Sequence, residues 1–193
     1  MHRLISFLLF IIVGCNTPTP TQNNTEKEDS IALPNNTFSC PTNEEGEIHT
    51  EICKPKMDCS FSSRQGHTVN ISMYQDNISS AEIIPGYAQT FEMNRTYQDD
   101  PRIADDEYTE KLFFEIPSSL TNFQIQDEEL KAAKMIYATL AYSRDGGYYG
   151  VENGCMEGKK MEDDSWKIQG QVTITTRTKR EITVAIKAIY TPQ

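Results

Sequence analysis

The chain predicts a mainly β protein: an antiparallel β-sandwich or small open barrel, disulfide-stapled, with at most one short helix. Three observations carry this. The C-terminal stretch alternates strictly, with Trp166, Ile168, Gly170, Val172 and Ile174 set between Lys167, Gln169, Gln171 and Thr173. After a polar turn at residues 177–180, Ile182, Val184, Ile186, Ala188 and Tyr190 repeat the pattern. A period of two puts one set of side chains on one face, so this is an antiparallel hairpin with one side buried. Short apolar runs also recur between turn-forming residues along the rest of the chain, with scarcely any helical periodicity. Finally, Cys40, Cys53, Cys59 and Cys155 follow an export-type N-terminus, and an even number in an exported domain reads as two disulfides.

Taken in order, Met1, His2 and Arg3 give a positively charged start, and residues 4–13 are apolar apart from Ser6. A run of about ten residues suits a signal peptide and is too short to span a bilayer as a helix. It ends in Ile12-Val13-Gly14-Cys15. That tetrad resembles the lipobox of bacterial lipoproteins. The resemblance implies that residues 1–14 are removed, that the Cys15 sulfur carries a diacylglycerol, and that the new amino group takes a palmitate-type chain. Each buried methylene adds about 0.8 kcal/mol of membrane affinity, so two or three chains hold where one would not. The competing reading is an ordinary secretory peptide cut a few residues later, but no small-x-small site stands nearby. Asn16, not an acidic residue, follows the cysteine. By the same resemblance this favours the outer membrane as the place in the cell envelope where the chain is anchored.

Residues 15–37 form a tether. With Pro18, Pro20 and Pro34 and almost no large apolar side chains, this segment cannot offset the entropy of ordering itself. The folded domain is then residues 38–193, long enough to bury a real core. The whole chain has 18 Lys+Arg against 28 Asp+Glu, a formal charge of −10. Losing Arg3 with the signal makes it one unit more negative. Such a surface argues against nucleic acid and against charge-driven adhesion to anionic lipid. Of the four remaining cysteines, three lie within residues 40–59, so at least one bridge is local and another ties that region to Cys155. Three connectivities are open. A zinc site using these cysteines with His49 or His67 is the alternative, but the Cys53 to Cys59 spacing is too wide for a usual zinc pair.

The strands are placed as follows. Residues 40–64 read as cysteine-stapled loops over a short strand or two. Val69, Ile71 and Met73 alternate as in a half-buried strand. Residues 81–91 read as two short strands around a turn or bulge at Pro85-Gly86, and residues 94–107 as a polar loop. Residues 108–116 make a strand closed by Pro117. Residues 127–134 give the helical piece, with acids first and lysines last. Residues 134–142 are apolar on both faces, which predicts a central strand. A turn at residues 145–147, a strand at 148–151, a tight hairpin turn at Asn153-Gly154, a strand at 155–161 and an acidic turn at 162–164 lead to the final hairpin.

From Phe123 onward the chain carries a Leu-Lys-x-Ala-Lys stretch at residues 130–134 and a Tyr-bearing strand. A Gly-x-x-x-Gly-x-Lys run at 154–160, an acidic turn and the Trp-x-Ile strand from Trp166 follow. This order resembles uncharacterised β-sandwich envelope lipoproteins of Gram-negative bacteria. It implies a small sandwich on a lipid tether and transfers no site.

Tyr142, Tyr148 and Tyr149 flank Asp145-Gly146-Gly147. Tyrosines at a loop tip offer rigid contact area to a protein or glycan ligand at low entropy cost, while core or edge packing is the competing use. Asp99, Asp100, Asp105, Asp106 and Glu107 lack the ordered register of a calcium loop and read as a solvated acidic loop. His67 near Ser62 and Ser63 has no nucleophile-elbow signature around it. The basic turn at residues 177–180 fits solubility and edge protection. No catalytic residue, cofactor or metal is assigned. The expectation is a lipid-anchored envelope protein with a binding or structural role, reaching the membrane through its N-terminal lipid. An envelope hydrolase with an unrecognised site and an inhibitor- or immunity-type lipoprotein are the alternatives.

Overall fold

A computed structural model describes residues 40, 53, 56–97, 108–141 and 143–193. Cys15, the tether, His49, the acidic loop at 99–107 and Tyr142 lie outside them. The described chain forms β1 (Met57–Tyr74), β2 (Asn77–Tyr97), β3 (Tyr108–Pro117), β4 (Asn122–Gln126), the helix α1 (Glu128–Ala132), β5 (Ile136–Ala141), β6 (Gly147–Gly150), β7 (Asn153–Lys160), β8 (Trp166–Thr175) and β9 (Glu181–Pro192). The mainly β expectation, with one short helix, is met.

These nine strands make one open sheet in the order β4-β7-β8-β9-β1-β2-β3-β5-β6. Neighbours are antiparallel except β1 and β9, which run parallel over Ser62–Thr191 and Ser63–Pro192. That short seam joins two antiparallel halves, which face each other across a shared core. Phe91 of β2 stacks on Phe114 of β3 at 4.7 Å and meets Trp166 of β8 and Tyr190 of β9 edge-on at 5.3 and 5.7 Å. Such offset and edge contacts suit the ring quadrupoles and add about 0.5–1.5 kcal/mol each beyond area burial. The β8–β9 hairpin keeps the register the alternation requires, from Trp166 opposite Tyr190 to Thr175 opposite Glu181. Trp166, Ile168, Val172, Ile174, Val184, Ile186 and Tyr190 are buried on one face.

Several local expectations change. Of the region at residues 40–64, positions 41–52 and 54–55 lie outside the described residues, and the part from Met57 onward belongs to β1. Residues 81–91 lie within one continuous strand, β2, and Pro85-Gly86 marks a bulge where His67 faces both Pro85 and Ala88. A bulge tolerates the missing proline N–H. A Cβ on Gly86 would stand 2.7 Å from Thr68 Cβ, so only glycine lets the strands close there. Residues 94–97 continue β2 and are not loop. Asn153-Gly154 is no hairpin turn: it opens β7 and pairs with Thr173 and Val172 of β8. Gly154 has φ +128, and a Cβ there would collide with the Gln171 carbonyl, so this glycine serves a close backbone approach.

β5 lies between β3 and β6, and its apolar residues on both faces have a specific cause. Pairing of β2 with β3 stops at Ala88, and the β1–β9 seam at Ser63. Beyond the bulge the β1–β2 hairpin runs on as a two-stranded arm that lies over the outer face of the sheet. Val69 and Ala81 of the arm are buried with Phe113 of β3 and Ile136 of β5, with Ile71, Ile78, Ile83 and Tyr148 packed around them. The arm thus adds a third layer and a second small core.

The disulfides are Cys40–Cys155 and Cys53–Cys59, separated by 115 and 6 residues. This is the expected pattern of one local and one long bridge. Loop-closure entropy assigns about 5 kcal/mol to the long one and roughly half that to the short one. In the interior, Arg95 of β2 reaches across to β9, donating from Nη2 to the Ala185 carbonyl at 3.0 Å and from Nη1 to Glu110 at 3.4 Å. Tyr137 donates to Glu110 at 2.8 Å, and Tyr108 donates to the same carboxylate oxygen. Pairing and hydrogen bonding make this buried charge tolerable. Burial first, and the Glu110 charge and hydrogen bond with it, push both phenols far above the ordinary tyrosine range.

Candidate functional site

A groove of about 850 Å³ opens where the arm leaves the sheet. One wall is the β2 bulge at Pro85, Gly86 and Tyr87, and the opposite wall is β4 with the turn at Leu120. The floor is the end of β3 at Ile116 with Phe123 and α1. Tyr87 is 95% exposed at the rim and Leu120 40%, so large apolar side chains stand in water beside an apolar trough.

The local sequence explains how α1 comes to line it. Leu130 is the buried anchor of the helix. Lys134 has φ +48, and Met135 N donates to Leu130 O at 3.0 Å while Lys134 N donates to Lys131 O at 3.0 Å. These two bonds are the Schellman stop that glycine usually supplies. Because a lysine holds the left-handed position, its ammonium is delivered to the groove edge, 2.9 Å from Glu115 Oε1.

Glu115 is the pivot between arm and sheet. Its Oε2 accepts from the Thr68 hydroxyl at 2.6 Å and from Val69 N–H at 2.7 Å. Lys134 also donates to Thr68 Oγ1 at 2.9 Å and to the Val69 carbonyl at 3.2 Å. Burial alone would raise the Glu115 pKa, but the bonds from Thr68, Lys134 and Val69 outweigh it and hold the carboxyl below its ordinary value. At the other side of the groove, Glu129 Oε2 accepts from Gln126 N–H at 3.0 Å.

The residues singled out in the sequence fall elsewhere. Tyr148 and Tyr149 are consecutive on β6 and turn to opposite faces. Tyr149 is 8% exposed in the main core and donates to the Asp145 carbonyl at 2.9 Å. Tyr148 packs against the arm. Neither lines the groove, and the tyrosine that does, Tyr87, reads in the sequence as an ordinary strand residue. The signal available was an aromatic immediately after Pro85-Gly86, where a bulge throws a side chain outward. His67 is a strand residue at that same bulge, with Nδ1 2.9 Å from the Gln65 carbonyl. The basic turn at 177–180 is tied to the turn at 145–147, because the Thr178 hydroxyl donates to Asp145 at 2.7 Å. That bond, first among its causes, holds the Asp145 carboxyl below the usual range. Among the described residues no group of three or more His, Cys, Asp or Glu side chains is placed to hold a metal ion.

The groove is mostly apolar and rimmed by an exposed aromatic, and of its two lining carboxylates Glu115 is paired with Lys134. No protein-family model matches the chain, and no curated protein or solved structure is significantly similar to it.

Proposed function

We propose that this is a lipid-anchored binding protein of the bacterial cell envelope, held on the outer membrane through an acylated Cys15, with the groove beside Tyr87 as its ligand site. The observation that carries the binding role is a nearly fully exposed tyrosine at the rim of an apolar trough of about 850 Å³. Apolar surface left in water is costly unless something covers it, and tyrosine is suited to such cover because its ring is apolar and its hydroxyl wettable. The Ile12-Val13-Gly14-Cys15 tetrad and the polar, proline-bearing tether support the anchor.

Two measurements test the reading. Cys15→Ala leaves the protein in the soluble fraction; membrane attachment of a processed Cys15→Ala chain sinks the anchor. Nile red, a neutral apolar dye, brightens on the wild-type chain, and Ala132→Trp, which fills the groove from α1, removes that signal. Undiminished dye binding by a folded Ala132→Trp chain sinks the groove as the ligand site.

A further inference from the structure

Among the described residues, the groove has an unpaired strand edge along one side: β4 ends the sheet and pairs there with β7 alone. Along an antiparallel strand the N–H and C=O of successive residues point alternately to the two sides. Lys160 N donates to the Thr121 carbonyl at 2.8 Å and Asp127 N donates to the Gly154 carbonyl at 2.9 Å, so the odd-numbered residues face β7. The backbone groups of Asn122, Gln124 and Gln126 therefore face away from the ladder. The Gln126 N–H is taken by Glu129. Beyond Gln124, no further strand pairs with β4 among the described residues, and Gln124 itself lines the groove. Native edges are commonly guarded by proline or an inward charge, and β4 reads Asn-Phe-Gln-Ile-Gln, with neither.

The charge of the trough narrows what fits. Glu115 and Glu129 line it, Glu115 is paired with Lys134 at the groove edge, and the chain is acidic overall at −10. A fatty acid would use the floor but leave the Gln124 N–H and C=O unanswered, and its carboxylate would meet that of Glu129. An extended peptide answers all three features at once. Its backbone pairs with the free edge, every second side chain enters the apolar floor at Ile116 and Phe123, and a cationic residue meets Glu129.

We propose that the groove takes an extended segment of a partner polypeptide, with alternating apolar residues and at least one Lys or Arg, which adds a strand to the free edge of β4. This deepens the binding role proposed above and rests on it.

The test uses the full chain in phosphatidylcholine nanodiscs and a phage library of random peptides, each about ten residues long to cover a short strand. Enriched sequences alternate apolar residues and carry Lys or Arg. The tightest free peptide loses at least about tenfold in affinity when alternate amides are N-methylated and keeps it when the intervening ones are. Gln124→Pro gives a comparable loss without unfolding the chain, because that N–H lies outside the β7 ladder. Glu129→Gln weakens binding and flattens its salt dependence. Peptide binding that survives N-methylation at every position but is lost in Ala132→Trp overturns strand addition and leaves the groove as a site. Failure to enrich any sequence, or peptide binding indifferent to Ala132→Trp, overturns both. Displacement of Nile red by lauric acid at lower concentration than by the tightest peptide identifies the occupant as lipid and also overturns the proposal.

Discussion

Glu115→Gln is the sharpest probe of how the arm is held. The substitution keeps the shape and one acceptor but deletes the charge that gathers the Thr68 hydroxyl, the Val69 amide and the Lys134 ammonium at 2.6, 2.7 and 2.9 Å. A hydrogen bond to a charged partner contributes about 1.5–3 kcal/mol against about 0.5–1.5 for a neutral one. Three such bonds are weakened, yet the Lys134 side chain is 40% exposed, so its share is strongly screened. The net expected loss is about 2 kcal/mol, or about 4–8 °C in Tm for a domain of this size. The pH dependence follows from the lowered pKa. A carboxyl whose folded pKa lies below its unfolded value of 4.5 contributes stability above that value and loses it as the pH falls through the folded pKa. The gap between wild type and Glu115→Gln is therefore full at neutral pH and closes in acid as the pH falls through the lowered folded pKa. Thermal unfolding followed by circular dichroism reads both, and amide exchange at Val69 reads the latch itself, accelerating in the variant before global unfolding does. A Tm within about 1 °C of wild type at neutral pH, or a gap that persists undiminished in acid, would refute the reasoning.

Three other outcomes follow from the layers and links described above. Phe113→Ala, on the outer face of β3, costs about 3–5 kcal/mol in denaturant melts, as a core phenylalanine does, because the arm buries it; a cost near that of a surface site removes the second core. Cys155→Ser lowers stability by about 2–5 kcal/mol and Cys53→Ser by less, and non-reducing peptide mapping of the wild type recovers Cys40 with Cys155 and Cys53 with Cys59. Tyr108, Tyr137 and Tyr190 have pKa values raised first by burial, so the folded state retains protons that the unfolded state loses and stability falls as the pH rises above about 10. Ultraviolet titration should show their phenolates appearing together with loss of the β signal; ionisation in a chain still folded contradicts their placement.

What was legible in the sequence was what short-range pattern encodes. Alternation from Trp166 to Tyr190 gave both the hairpin and its buried face, because a period of two depends on the strand alone. The same logic read β5 as buried on both sides, but what covers the outer face is an arm more than fifty residues earlier, which no local window contains. Pro85-Gly86, which reads as a turn or a bulge, is the bulge, within a continuous strand and not between two short ones, whereas Asn153-Gly154 misled: the pair suits a turn, yet a Cβ on this glycine would meet the Gln171 backbone opposite. The left-handed helix stop at Lys134 was hidden because a lysine stands where glycine is the signal. The groove draws on β2, β3, β4 and α1 and carries no motif. Tyr87, Tyr148 and Tyr149 are alike as letters, and only the elements packed against them decide that one is bare and the others are covered.

The Cys40–Cys155 bridge also sets the route by which force enters the molecule. The bridge gives a pull on the chain N-terminal to Cys40 a covalent path through the sulfur atoms into β7, a strand flanked by β4 and β8. That path reaches the sheet without crossing β1, its long arm or the Cys53–Cys59 ring. Force carried along it falls first on a strand hydrogen bonded on both sides, not on the arm, the Glu115 latch or the groove wall at Tyr87. In a chain anchored at Cys15, as proposed above, tension along that path would enter the domain at β7 and not at the arm.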